Sequence, residues 1–206
     1  MQRPTNVFLI SLLALVLSGC GTGRPIKYYE VQVPVAPTPA TSTYPVALLV
    51  AGIGGPEMYK DTPIAYRVGA NEVGVYHYSR WSQPPVEMLK SKLISVLRAS
   101  GHYESVSGLG SVPNGKYVIR GRLYNFEEVD GNGIAGLVSM EFELYERKSG
   151  KVLWTHFYSQ KEPVQGKSIS AVVTALDSNL DRGLTEVSVG LSQYFSANLA
   201  KQEAQR

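Results

Sequence analysis

The chain has 206 residues, with 20 lysines and arginines against 17 aspartates and glutamates, and a formal net charge of +3. Without residues 1–19 it would lose Arg3 and no acidic residue, which leaves a formal +2. Since no cluster of basic residues stands out either, charge implies neither nucleic acid nor an anionic membrane surface as a partner. The single cysteine excludes an internal disulfide, so the fold has to rest on its hydrophobic core.

The N-terminus has the order of a secretory signal peptide. Arg3 precedes an apolar run over residues 7–17, and small residues and a cysteine follow. A membrane-spanning helix needs about 20 apolar residues, and this run has only 11. We therefore predict a cleaved signal peptide over residues 1–19.

Leu17, Ser18, Gly19 and Cys20 resemble the lipobox of bacterial lipoprotein precursors. In such precursors the cysteine sulfur takes a diacylglyceryl group before cleavage, and the mature residue carries several acyl chains, palmitate among them. The alternative is an ordinary signal peptide followed by a spare thiol, which secreted proteins tend to avoid. At about 0.8 kcal/mol per buried methylene, several acyl chains on Cys20 would make a permanent membrane anchor.

The composition of residues 20–43 predicts a flexible tether that begins at the lipidated cysteine. This segment is rich in proline and small polar residues, a composition that favours an extended chain without a core. At about 3 Å per residue it could hold the domain several tens of ångströms from the bilayer, or it could simply be slack. Tyr28 and Tyr29 form an aromatic pair that could dock onto the domain.

Residues 44–200 predict a single folded domain, followed by a short tail at residues 201–206. Apolar runs and period-two alternation bounded by glycine, proline and asparagine indicate strands. The predicted strands cover residues 45–53, 64–68, 72–78, 117–128, 137–147 and 152–160.

Two segments follow the rules for helices. Residues 82–100 have Ser82 or Gln83 as a cap and Gly101 beyond the end, and residues 168–199 have Ser168 as a cap. Apolar residues recur at helical spacing in both, and Gly183 and Gly190 are points where the second helix could bend. The elements together predict an α+β two-layer sandwich, a largely antiparallel sheet with two helices packed on one face.

Patterns that carry chemistry in other proteins are incomplete here. Residues 166–168 match only the end of a phosphate-binding loop, because Lys161 stands where its first glycine should be. Asp177, Asn179 and Asp181 lack the glycine and glutamate of a calcium loop and are interpreted as the solvent face of the helix. The three histidines have no zinc-site spacing. We therefore expect no catalytic residues, no metal and no cofactor.

Residues 75–89 lead from a strand into the first helix and are unusually aromatic. Tyr78, Arg80 and Trp81 are of the types enriched in interface hot spots, so they are candidate partner-binding residues. The interpretation that we favour for Trp81 is a residue that fills the corner between helix and sheet.

Five short segments occur in an order that resembles the auxiliary lipoprotein family of ABC-type transport systems, in its PqiC-like group. They are Tyr28-Tyr29, the strand near Val46, Asp61-Thr62-Pro63-Ile64 leading to Arg67, Tyr78-Ser79-Arg80-Trp81, and Asn125-Phe126-Glu127. The glycine-rich segment at residues 50–56 departs from the longer uninterrupted strand expected there.

The resemblance implies a non-enzymatic subunit that docks an envelope lipid transporter or helps lipid to pass between membranes. Its implied partners are an MCE-domain protein and an ABC permease with its ATPase, and lipid is a further candidate ligand. Gly21 after the cysteine resembles the pattern for export to the outer membrane, facing the periplasm. The alternative is an envelope assembly or structural lipoprotein that forms a homo-oligomer without a transport role.

Overall fold

A computed structural model describes residues 23–32, 44–110, 115–131 and 133–203 of the chain. The predicted signal peptide and the lipobox residues Leu17, Ser18, Gly19 and Cys20 lie outside these ranges, so the predictions made for them stay predictions. No helix within the described ranges is long and apolar enough to cross a membrane.

The described residues form eight strands and two long helices, joined by turns and a short 3-10 helix at Glu57–Tyr59. In chain order the elements are β1 (Lys27–Tyr29), β2 (Tyr44–Gly54), β3 (Pro63–Val68), β4 (Glu72–Trp81), α1 (Pro85–Ala99), β5 (Tyr103–Gly108), β6 (Tyr117–Gly131), β7 (Gly133–Glu146), β8 (Val152–Pro163) and α2 (Ile169–Glu203).

The long strand β6 organises a single open sheet. One of its edges pairs with β7 along the whole strand, and β8 continues the sheet beyond β7. The other edge of β6 pairs first with β2 and then with β3. β5 extends the β2 side of the sheet, and β4 and β1 extend the β3 side.

The predicted fold class is confirmed. Most paired residues belong to the antiparallel ladders β3–β4, β6–β7 and β7–β8. The remaining pairings, β1–β4, β2–β5, β2–β6 and β3–β6, are parallel. The sheet is therefore mixed, and two long helices accompany it.

The core lies between the sheet and the two helices. α1 packs on β2 and β5, α2 packs on β6, β7 and β8, and the helices also contact each other. Alternate residues of β7, including Val138, Met140 and Phe142, are buried on the helix side as the alternation predicted.

Some boundaries differ from those predicted. The N-cap of α1 is Pro84, with no side-chain cap, so the assignment of Ser82 or Gln83 was wrong. Pro85 takes the first helical position, where its fixed φ suits the helix and its missing N–H costs nothing. Ser168 does cap α2, since its hydroxyl accepts the Ala171 N–H at 3.2 Å.

The glycine-rich segment after Val50 does not end β2. The strand continues to Gly54, with a register shift between Val50 and Ile53 against β6. The glycine-rich segment is thus an irregularity within a continuous strand, which pairs with β6 on both sides of the shift.

Candidate partner-binding site

The segment around Tyr28 and Tyr29 is part of the folded domain. β1 pairs in parallel with the end of β4, so that Tyr28 lies opposite Arg80, and the Ser82 N–H donates to the Tyr29 carbonyl at 2.7 Å. Val31 is buried in the core. We call residues 27–32 the strap, because they hold the N-terminal chain against the domain.

The strap is also joined to both helices. The Gln32 N–H donates to Asp177 on α2 at 3.1 Å. Asp177 pairs with Lys92 of α1, whose side chain is fully buried and also lies 2.9 Å from Asp181. One buried cation thus connects the strap, α1 and α2.

Trp81 occupies the junction of the strap, β3 and β6. Its backbone N–H donates to the Thr62 carbonyl at 2.7 Å, and its ring packs on the Phe126 ring with 5.1 Å between centroids. The side chain has no solvent exposure. Trp81 is therefore a buried core residue at this junction, which we call the corner, and it supports the neighbouring residues of β4.

Tyr78 and Arg80 lie on the accessible side of the same strand. Tyr78 is 46% exposed, and the Arg24 guanidinium carbon lies 5.6 Å from the centroid of its ring. Arg80 is half-buried and donates from Nη1 to Thr62 Oγ1 at 3.2 Å. A partner could therefore contact Tyr78 and Arg80 directly, whereas Trp81 would act through them.

A buried carboxylate lies beneath this corner. Glu127 is fully buried and accepts from Arg67 Nε at 2.7 Å, from the Tyr59 hydroxyl at 2.8 Å and from Asn125 Nδ2 at 2.9 Å. Each partner comes from a different segment: the 3-10 helix, β3 or β6 itself. The Glu127 cluster therefore fixes these segments relative to one another.

The surroundings of Glu127 raise the pKa of two residues of its cluster. Burial and the negative charge of Glu127 raise the pKa of Tyr59 well above its ordinary value. The hydrogen bond to Glu127 likewise raises the pKa of Arg67. At neutral pH the cluster therefore holds a cationic Arg67 and a neutral Tyr59, and the donors around the carboxylate suit a structural role better than proton transfer.

An open cavity of about 520 Å³ lies beside the corner, between β3, β4 and the start of α2. Its lining includes Arg24, Val68, Tyr76, Tyr78 and Ile169. The Tyr76 hydroxyl donates to Glu128 at 2.8 Å, and burial, with that hydrogen bond, raises the pKa of Tyr76.

The residues that imitate a calcium loop have other roles. Asn179 is fully buried, accepts from the Tyr158 hydroxyl at 2.6 Å and donates to the carbonyls of Gly136 and Gln160. The solvent-face interpretation was therefore wrong for Asn179, because the side chain ties α2 to the sheet. It was also wrong for Asp177, which pairs with Lys92.

Sequence reasoning missed the burial of Lys92. Lys92 lies three residues after Leu89 and directly before Leu93, so helical spacing places it on the core side. A buried lysine needs an acidic partner for its charge, and Asp177 and Asp181 of α2 are those partners. Within the described ranges, no group of three or more histidine, cysteine, aspartate or glutamate side chains is arranged to hold a metal ion.

Comparison with known proteins gives a family match over most of the chain. The model of the family described as "ABC-type transport auxiliary lipoprotein component" matches residues 29–188. A search of curated proteins finds no match to the sequence.

Solved structures share the fold. A Xanthomonas campestris protein of family DUF330 superposes with a TM-score of 0.73 at 22% identity, covering 87% of this chain and 100% of its own. A second solved structure, of an uncharacterized protein, superposes with a TM-score of 0.64 at 15% identity, covering 82% of this chain and 99% of its own. A hypothetical protein of Chlamydia trachomatis superposes with a TM-score of 0.50 at 7% identity, covering 75% of this chain and 99% of its own. At these identities the likeness concerns the fold alone.

Proposed function

The chain belongs to the ABC-type transport auxiliary lipoprotein family, and we propose that it is the docking subunit of an MCE-associated envelope lipid transport system. It acts by binding and not by catalysis. Its partners in this proposal are the MCE-domain protein and the ABC permease with its ATPase.

One observation carries the docking proposal. Segments far apart in the sequence meet in one corner, where β1 pairs with β4, Trp81 bonds to Thr62, and Arg67 pairs with Glu127. A surface on paired strands over a buried network is held in one geometry, which lowers the ordering cost of binding. Tyr78 and Arg80 are the side chains that this corner presents to a partner.

The side chains at the corner suit protein recognition. A tyrosine brings a large apolar ring with few rotatable bonds, and an arginine brings several directed donors. Arg80 is already oriented by its hydrogen bond to Thr62. The proposed contact therefore consists of preformed anchors and not of a flexible segment that orders on binding.

The membrane anchor belongs to the same proposal. Lipidation of Cys20, with cleavage between residues 19 and 20, would attach the protein to the outer membrane, facing the periplasm, as Gly21 suggests. A fixed anchor confines the docking corner to the membrane region, which raises its effective concentration toward other envelope subunits.

Site-specific photocrosslinking in intact envelopes tests the docking proposal. A photoreactive phenylalanine analogue replaces Tyr78, and in a matched control it replaces Phe157, which is 59% exposed on β8. Position 78 is expected to give adducts with an MCE-domain protein or permease, and position 157 is not. Adducts only between copies of this chain, or no adducts at position 78 in correctly acylated protein, would overturn the docking proposal.

A further inference from the structure

The strap fixes the direction in which the chain leaves the domain toward its N-terminus. β1 is parallel to β4, so the chain before Lys27 runs toward the start of β4. The β3–β4 turn lies there, with Val68 paired to Glu72 and Arg67 paired to Val73. Arg24 follows this direction, since it lines the same cavity as Arg67 and Val68.

Little chain separates this exit point from Cys20. Three peptide units join Cys20 to Gly23, so their Cα atoms lie at most about 11 Å apart. The headgroup region of each leaflet is only about 5 to 8 Å thick. Acyl chains on Cys20 that enter the bilayer core therefore bring the start of the described chain to the membrane surface.

We propose that the β3–β4 turn, residues 68–73, is seated on the surface of the lipid bilayer. This inference rests on the proposed lipidation of Cys20. A tether over residues 20–43 would hold the domain away from the membrane, whereas this inference places the domain on the membrane in a fixed orientation. The docking residues Tyr78 and Arg80 lie five and seven residues further along β4 than Val73, about 16 and 23 Å at the rise of a strand.

The side chains of the turn fit a lipid interface. Val68 and Val73 are its first and last residues and are each close to half exposed, and Gly69 takes a φ of 61°, which shapes a tight turn. Glu72 opposes an anionic surface, so the contact depends on the anchor and the valines and changes little with salt.

This arrangement assigns a different role to residues 33–43. They follow the strap, so the anchor reaches the domain without passing through them. Their length therefore does not set the distance between the domain and the membrane. The few residues before the strap set it instead.

Fluorescence quenching on the acylated protein tests the inference. Acylation blocks the thiol of Cys20, the only native cysteine, so Val73→Cys provides one labelling site. Val189→Cys is the matched control: it is 50% exposed against 46% for Val73, and it lies on α2 twenty residues from Ile169, about 30 Å along the helix. The membrane is a vesicle of phosphatidylethanolamine and phosphatidylglycerol containing a headgroup nitroxide lipid.

The label at position 73 is expected to be quenched about threefold or more above the label at position 189, because the interface is only several ångströms thick. Inserting about twelve Gly/Ser residues after residue 22 should bring the two values together. The same insertion after residue 38 should leave the difference unchanged. Equal quenching at both positions in acylated protein, or an effect of the second insertion as large as that of the first, would overturn the inference.

The test separates this inference from the proposed function. Mass spectrometry of the labelled protein reports acylation, and Cys20→Ala shows the behaviour of unanchored protein. If Cys20 carries no lipid, the anchor proposal itself fails. If Cys20 is acylated and residue 73 stays unquenched, only the seating of the turn fails, and crosslinking at position 78 still decides docking.

Discussion

Glu127 is the side chain on which the geometry of the corner depends most. It is a fully buried charge with three donors, and neutralising it leaves Arg67 without its ion-pair partner. We expect Glu127→Gln to lower the free energy of unfolding by about 2 to 3 kcal/mol, since hydrogen bonds to charged groups are among the stronger ones. Urea unfolding of the domain measures the change.

The control for this prediction is Glu141→Gln. Glu141 also accepts a tyrosine hydroxyl, that of Tyr124 at 2.7 Å, but the pair is exposed. Its substitution should change stability by no more than about 0.5 kcal/mol. Equal losses for the two variants would show that burial of Glu127 contributes nothing to the stability of the corner.

Tyr59 is expected to make the free energy of unfolding fall as the pH rises above 10. Its folded pKa is raised above the ordinary value of 10.0, so folding favours the neutral phenol. That contribution is complete below pH 10 and is lost as the pH rises toward the folded pKa. The stability advantage of the wild type over Tyr59→Phe should therefore shrink steadily above pH 10.

Denaturant unfolding at a series of pH values from 8 to about 11.5 follows this difference. Other tyrosines with raised pKa values, such as Tyr103, are present in both proteins and cancel in the comparison. An advantage that stays constant or grows above pH 10 would show that Tyr59 is not held neutral by its surroundings.

At the scale of elements, local patterns predicted the helices and the longer strands well. The alternation in β7 and the apolar stripes of α1 and α2 are periodic over many residues, so a single sequence reveals them. β1 has only three residues, and it exists because its backbone bonds to β4. No local pattern encodes such a pairing, so composition placed the strap in a flexible tether, with Tyr28 and Tyr29 as an aromatic pair that could dock onto the domain.

The candidate site was likewise predictable from local sequence only in part. The aromatic composition of residues 75–89 pointed to the corner, and family resemblance pointed to the segments around it. Their meeting in space depends on parallel pairings such as β3 with β6, whose partners lie some sixty residues apart, as Ala65 and Glu127 do. Lys92 was predictable from helical spacing, but its acidic partners were not.

Close packing explains Gly183, the first of the two glycines, Gly183 and Gly190, within α2. The helix continues through both, and a Cβ at Gly183 would lie 2.3 Å from Met140 Cε and 2.8 Å from the Tyr158 ring. Gly183→Ala gains about 1 kcal/mol of helix propensity, but crowding in a close-packed core costs about 1 to 3 kcal/mol. Because Tyr158 is also fixed by Asn179, we expect a net destabilisation of about 1 kcal/mol.

Gly190→Ala is the matched comparison within the same helix. Its Cβ would meet Trp154, a partly exposed side chain that can shift toward solvent. The variant should be nearly neutral or slightly more stable in thermal unfolding. If Gly183→Ala proves the more stable of the two, the close approach of α2 to β7 and β8 does not constrain position 183.

For the whole molecule, the strap joins the proposed membrane anchor to the sheet and the helices. It contacts the sheet through β1 and the helices through Asp177, so its release would free the N-terminal segment and expose Val31 while leaving both helices and strands β2 to β8 in place. While the strap is bound, only residues 21–26 separate Cys20 from Lys27, the first residue of the strap. After release, the whole segment between Cys20 and β2 would act as the tether.

Val31→Asp should release the strap, because it places a charge at a buried position. We expect a stability loss of about 2 kcal/mol, from the apolar burial forfeited, and faster tryptic cleavage after Lys27. Gln32→Ala is the control, since only the backbone N–H of Gln32 bonds to Asp177. In acylated Val31→Asp protein the label at position 73 should also lose its quenching. Retention of both the quenching and the wild-type cleavage rate would mean that the strap does not hold the domain to its anchor.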